Sequence, residues 1–176
     1  MKISVHAVSV DLLANSLTNL SHLLDKGHAH AVARKYDPAL LLAARLAPDM
    51  LPLTRQIQIA SDGSKFGVAR LAGVEAPKFE DNEQTFEELR ARIARTIDFI
   101  KGVPASALEG SEDRTIKVPA RDRTLEFKGL DYLVRWVIPN VLFHVTTAYA
   151  ILRHSGVEIG KTDYLVGSGP GFSQSA

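Results

Sequence analysis

The chain has 176 residues, 45% of them hydrophobic, which suits one domain with a real core. Lysine and arginine total 21 against 20 acidic residues, and the charges are interspersed, which excludes a basic field for nucleic acid and an acidic tail. There is no cysteine, so disulfides, thiolate ligands and a cysteine nucleophile are excluded; a metal would need histidine, carboxylate or amide oxygen, and a reducing cytoplasm is compatible.

Over residues 5–26, His6, Val10, Leu13, Leu17, Leu20 and Leu24 recur at helical spacing and predict an amphipathic helix of about six turns that stops at Gly27. Asp11 and Asn15 interrupt its apolar run, so it reads as a folded helix and not a signal peptide. No uncharged run approaches the roughly 18–20 residues of a membrane span. His28 and His30 then fall in a polar connection and read as surface residues. Asp37-Pro38 sets a short helix, aspartate as cap and proline at the first position.

A second long helix is expected from near Asp49 to Gly73, with Pro52 in its first turn. Its inner stripe is Met50, Leu53, Ile57, Ala60, Ser64, Val68 and Leu71. Gly63 and Gly67 lower its propensity by about 1 kcal/mol each relative to alanine. They mark a place where another backbone or a ligand comes close. Asp62 and Lys65, three apart, read as a surface pair.

A third helix is expected over residues 83–101, with Phe86, Leu89, Ile93, Ile97 and Ile100 as its seam. Thr85 and Glu88 have capping-box spacing, with Asp81 or Asn82 as alternative caps. On either side of ARDR the alternation of Ile116 with Val118 and of Leu125 with Phe127 predicts a two-stranded hairpin that must lean on the helices. The fourth long helix covers about residues 130–154, and Gly156 ends it. Arg153 complements its dipole and can pair with Asp163 or Glu158. Trp136 and His154 project to nearly one side and read as core edge or subunit contact. Residues 1–167 are thus expected to form a single all-α domain, an antiparallel four-helix bundle with a short extra helix and a small β-hairpin before the last long helix. Residues 168–176 read as a flexible tail.

The fourth helix carries the polar candidates. At about 100° per residue, Leu133, Val137, Val141, Ala148 and Ile151 fall within roughly 60° of His144, and Asn140 and Thr147 lie on its flank. A polar trio therefore looks inward from an apolar helix. The chain has no Gly-rich phosphate loop and no GxSxG elbow.

Three segments, ARLAPDMLPLTRQIQIASD, RLAGVEAPKFEDNEQTFEELRARI and PNVLFHVTTAYAILRHSGVEIGKTDYL, resemble in order and spacing an uncharacterised domain-of-unknown-function branch of the DinB/YfiT-like superfamily. The resemblance covers nearly the whole chain and implies a DinB-like bundle. Metal-binding members of the superfamily carry one histidine on the second helix and an HxxxH pair on the fourth. Registered on Leu152, Arg153 and Gly156, the resemblance puts His144 on the second histidine of that pair and Asn140 on the first. No histidine lies between His30 and His144, which leaves Asp49 and Gln56 as the polar candidates on the second helix.

One nitrogen ligand is matched and two are not, so a divalent metal at His144 is implied only as a degenerate site. The thiol-dependent transferases and metal-dependent isomerases or hydrolases of the superfamily rest on the full triad, and transferring them is fold-level analogy. The favoured reading is a cytoplasmic, small-molecule-binding or structural homodimer without nucleic-acid or membrane partners. In it His144, Asn140, Thr147, Gln56 and Asp49 form the candidate pocket, and His144 is a core histidine that needs a hydrogen-bond partner. The alternative is a metal-dependent hydrolase or transferase using His144 as ligand or general base.

Overall fold

A computed structural model describes residues 4–120 and 122–167; the expected tail, 168–176, lies outside the described residues. A π-helical turn, Ala7–Asp11, continues directly into helix α1, Leu12–Arg34. Gly27 does not stop α1. A Cβ at Gly27 would lie 2.8 Å from Leu152 Cδ2 and 3.4 Å from Phe86, so glycine lets α1 pass close to two neighbouring helices, and that packing offsets its propensity cost of about 1 kcal/mol. The helix ends at Lys35, in the left-handed region at φ 57°. His28 and His30 therefore belong to α1 and not to a connection: His28 stacks on Phe86 with ring centroids 5.5 Å apart, and His30 meets Tyr36 edge-on.

Helix α2 is Ala39–Ala43, with the Asp37 carboxylate accepting from the Ala39 N–H at 2.9 Å. Helix α3, Leu53–Ala72, starts after Pro52 and not at Asp49. The residue before a proline is pushed out of the helical region, so Pro48 and Pro52 keep the preceding link irregular. Gly73 closes α3 at φ 72°. Helix α4, Phe86–Gly102, begins at a full capping box: Thr85 Oγ1 accepts from the Glu88 N–H at 3.1 Å, and the Glu88 carboxylate accepts from the Thr85 N–H at 3.0 Å. Strands β1, Thr115–Ala120, and β2, Arg123–Lys128, pair antiparallel with Ile116 opposite Phe127 and Val118 opposite Leu125. Helix α5, Gly129–Tyr132, a π-helical turn, Leu133–Val137, and helix α6, Ile138–His154, follow without a break.

Helix α3 packs against α4 and α6, and α1 packs against the same two. Their apolar stripes meet in one core containing Leu17, Leu20 and Leu24 of α1, Ile57 and Val68 of α3, Leu89 and Ile93 of α4, and Val141 and Val145 of α6. Gln56 meets His144, Gly63 meets Val141 and Gly67 meets Val137, so α3 and α6 run antiparallel. The glycines admit side chains of α6 and its π turn, where the sequence suggested a backbone or a ligand. A Cβ on Gly67 would stand 2.5 Å from Val137 Cγ1.

Asp62 and Lys65 are not a surface pair. Lys65 is 1% exposed, with Nζ 2.9 Å from Asp62 Oδ1 and 4.0 Å from the centre of the Phe79 ring. The same Asp62 oxygen accepts from Arg92 Nη2 at 3.0 Å. The Arg92 side chain is 0% exposed and also reaches Asp81, Glu83 and the Glu80 carbonyl. Gln58 donates to Glu83 at 2.8 Å, and Arg55 bonds both Gln58 and Asp81. Burial pushes the Glu83 and Asp81 carboxyls up, but the Gln58 and Arg92 bonds at Glu83, and those of Arg55 and Arg92 at Asp81, hold both below the usual carboxylate range. This network straps residues 79–83 onto α3 and α4.

Helix α7, Lys161–Leu165, docks on α1. Asp163 pairs with Lys26 at 2.6 Å and His22 at 3.3 Å and accepts from the Gly160 N–H at 2.7 Å; Arg153 makes none of these contacts. The Asn19 amide donates to the carbonyls of Tyr164 and Leu165. Chiefly through the Lys26 bond, the Asp163 pKa is lowered to about 2. A carboxylate with a depressed folded pKa stabilises fully above its unfolded value, near 4, and loses that contribution as pH falls toward the folded one. Between about pH 4 and pH 2 the amides of residues 161–165 are therefore expected to lose hydrogen-exchange protection before those of α3. Asp163→Asn is expected to reproduce that loss at neutral pH, at a cost of about 1 kcal/mol. Equal protection of residues 161–165 in both proteins would contradict the assignment.

Candidate functional site

The polar candidates lie along the seam between α3 and α6. Gln56 is 2% exposed, and its Nε2 donates to the Leu51 carbonyl at 2.9 Å, just before α3 begins. That bond orients the amide so that Oε1 faces His144 Nδ1 at 2.7 Å. An amide oxygen only accepts, so His144 Nδ1 carries the proton and Nε2 keeps its lone pair. Burial pushes the His144 pKa below the ordinary 6.5, which keeps the ring neutral at pH 7. The Phe143 ring stands edge-on to it, with centroids 5.2 Å apart.

The other candidates divide. Thr147 donates to the Phe143 carbonyl at 2.8 Å, a bond within its own helix. Asn140 lies one turn before His144, with its amide nitrogen 3.3 Å from the position a Gly63 Cβ would take. Asp49 is exposed in the link before α3, outside the cluster: the helix starts too late to carry it inward. The seam thus brings His144 and Gln56 into contact, puts Asn140 a turn away, and leaves Thr147 bonded within its own helix and Asp49 exposed in the link.

A divalent metal at this position would need converging donors. Gln56 occupies the His144 nitrogen nearest to α3, and Asn140 is turned toward Gly63. Among the described residues no group of three His, Cys, Asp or Glu side chains converges on a point that could hold a metal. The residues present do not form a coordination set of the kind a firmly held zinc requires.

Beyond Asn140 the seam opens into a cleft of about 230 Å³, lined by Asp62 and Phe66 of α3, Arg70 near its end, and Tyr132, Trp136 and Asn140 on the facing run. Arg70 Nη1 donates to the Tyr132 hydroxyl at 3.0 Å. Tyr132 is 1% exposed, and burial raises its pKa, so it remains a neutral hydroxyl. Sequence reasoning missed Arg70 and Tyr132; the one signal pointing here was the Gly63 and Gly67 pair. A larger hollow of about 450 Å³ lies between the N-terminal turn and residues 105–112, away from this seam. Its imidazole, His6, is 3.6 Å from Asp11.

No helix among the described residues is long and apolar enough to cross a membrane. Residues 5–165 match the family described as Domain of unknown function (DUF1993). The structure is similar to the crystal structure of a DinB family member protein from Shewanella denitrificans, at 40% identity and a TM-score of 0.85, over 96% of this chain and 94% of that one. No curated protein matches the chain. The family match spans the helices that build the seam, and the similar structure superposes over nearly their whole length. The chain therefore belongs to the DUF1993 family, within the DinB-like superfamily.

Proposed function

We propose that the protein is a small-molecule-binding or structural homodimer of the cytoplasm. It is built as an antiparallel DinB-like four-helix bundle in which the metal position has degenerated into a contact that fixes helix register. The observation carrying this reading is the His144–Gln56 hydrogen bond, in which an amide anchored on Leu51 holds the imidazole. A polar pair of this kind, with Gln56 buried and His144 half-buried, specifies how α3 and α6 align, because any shift leaves both groups unpaired. The dimer reading rests on an apolar strip of α6: Phe143 is 56% exposed beside Leu142, Thr146 and Ala150, with Leu46, 41% exposed, across a shallow hollow. Sedimentation velocity at micromolar concentration should give a dimer that Phe143→Asp dissociates; a monomeric parent protein removes this part of the reading.

A second reading, a metal-dependent hydrolase or transferase acting on a small molecule, draws on the His144 Nε2 lone pair, which has no hydrogen-bonding partner among the described residues. Two measurements bear on the readings: the first tests the His144–Gln56 bond that both share, and the second separates them. Nitrogen-resolved NMR is expected to find His144 protonated on Nδ1 at pH 7 and titrating below 6.5. Its folded pKa is depressed, so its contribution to stability is complete above pH 6.5 and declines as pH falls through that value. Elemental analysis of protein purified without chelator is expected to find no stoichiometric metal, and zinc, nickel and manganese are expected to leave Tm unchanged in the parent and in His144→Ala alike. A metal-dependent rise in Tm confined to the parent would favour the enzyme.

A further inference from the structure

The cleft at the far end of the seam has the chemistry of an anion site. Arg70 is fixed twice, by its bond to the Tyr132 hydroxyl at 3.0 Å and by the Phe66 ring, 5.2 Å from its guanidinium carbon. Among the described residues it has no carboxylate within ion-pair distance, whereas Arg55, Lys65 and Arg92, also on or against α3, are paired. The one acid lining the cleft, Asp62, bonds Lys65 and Arg92 through one oxygen, within a network in which three carboxylates, Asp62, Asp81 and Glu83, meet three cations, Lys65, Arg92 and Arg55. The cleft therefore carries a net positive charge, borne by a guanidinium whose remaining N–H groups are geometrically suited to a carboxylate.

The walls are aromatic. Phe66 and Trp136, 36% and 38% exposed, flank the opening, and the Asn140 amide, without a hydrogen-bonding partner among the described residues, faces the other end. Arg70 and Asn140 are separated by the helix rise from Gly63 to Arg70, about 10 Å. A volume of about 230 Å³ is below the roughly 300–1,000 Å³ of pockets for drug-sized ligands, which limits an occupant to about one ring and its substituents. Trp136 lies in the π-helical turn Leu133–Val137, an irregularity that in other helices often marks functional positions.

We propose that this cleft binds a small aromatic carboxylate: Arg70 and the Tyr132 hydroxyl take the carboxylate, Phe66 and Trp136 cover the ring, and Asn140 bonds a polar group at the opposite end. The proposal rests on reading the protein as a small-molecule binder and supplies that binder with a site and a ligand class.

Trp136 is the only tryptophan in the chain, so its emission reports this cleft alone. The whole protein is titrated with 4-hydroxybenzoate and with its uncharged isostere 4-hydroxybenzamide, at constant ionic strength. The expected result is a saturable change with the acid and binding roughly tenfold or more weaker for the amide. Arg70→Gln should erase that preference, and Arg70→Lys should retain part of it. If Arg70→Gln does not fold, as judged by circular dichroism, the acid and amide compared on the parent protein decide the matter. Equal affinity for acid and amide overturns the anion assignment and leaves the binder reading standing. No saturable change with either overturns the site itself, while the metal and NMR measurements on His144 test the broader reading separately.

Discussion

Arg92→Met is expected to destabilise the protein by about 3–5 kcal/mol at pH 7, the cost of breaking a buried ion pair by removing one partner. Methionine fills much of the same volume but leaves Asp62, Asp81 and Glu83 facing fewer cations; Arg92 bonds all three, at 3.0 Å each. Lys65 would still compensate Asp62, and Arg55 would still reach Asp81 at 2.5 Å, so the loss falls mainly on Glu83, whose side chain is 4% exposed. For a chain of this size the change corresponds to a fall in Tm of roughly 10 °C. Its pH dependence is the discriminating feature. Glu83 and Asp81 have depressed folded pKa values in the parent, so they stabilise above the unfolded value and lose that contribution as pH falls through the folded one. In the variant those carboxyls protonate readily, so the deficit should shrink between pH 7 and pH 4. Urea denaturation of both proteins at the two pH values measures it. A deficit under 1 kcal/mol, or one independent of pH, would mean that water replaces the guanidinium at little cost.

Gly129→Ala is expected to cost about 3 kcal/mol, although alanine is the better helix former and the position opens α5. A Cβ there would fall well inside the van der Waals surface of the Ser111 carbonyl oxygen, with the carbonyl carbon at 2.9 Å. The obstacle is backbone, and it cannot rotate away as a side chain would. Either the short turn Ser111–Asp113 or the strand-to-helix junction must shift, and overpacking of this kind typically costs 1–3 kcal/mol, occasionally more. Gly102→Ala is the matched control: its Cβ would meet nothing within 4 Å, and the substitution should be neutral or slightly stabilising. Thermal unfolding of the two variants beside the parent gives the comparison. Similar Tm values for both would show that the Ser111 turn yields freely.

The elements legible in the sequence were those that local physics specifies. Periodic leucines and isoleucines gave the long helices, Thr85 and Glu88 gave a capping box that forms as written, and the alternation around ARDR gave the hairpin, whose register, Ile116 opposite Phe127, came from the structure. The errors have one origin. Gly27 looks like a stop because its usefulness depends on Leu152, more than a hundred residues away. Asp62 and Lys65 have the same spacing whether water or Phe79 covers them, and Phe79 lies in a segment with no periodicity. Asp49 and Gln56 project to one side of a continuous helix, but the helix begins after Pro52 and carries only Gln56 inward.

The sequence by itself determined that the chain is helical, which faces are apolar, and that His144 looks inward from the last long helix. Only the tertiary structure decided what His144 meets, that Arg92 gathers three carboxylates, and that Arg70, beside a cleft, has none among the described residues. The physical reason is range. Periodicity and capping act over a few residues and survive small errors of position, whereas a hydrogen bond between helices requires two side chains to agree within a few tenths of an ångström. That agreement is set by how the whole core packs.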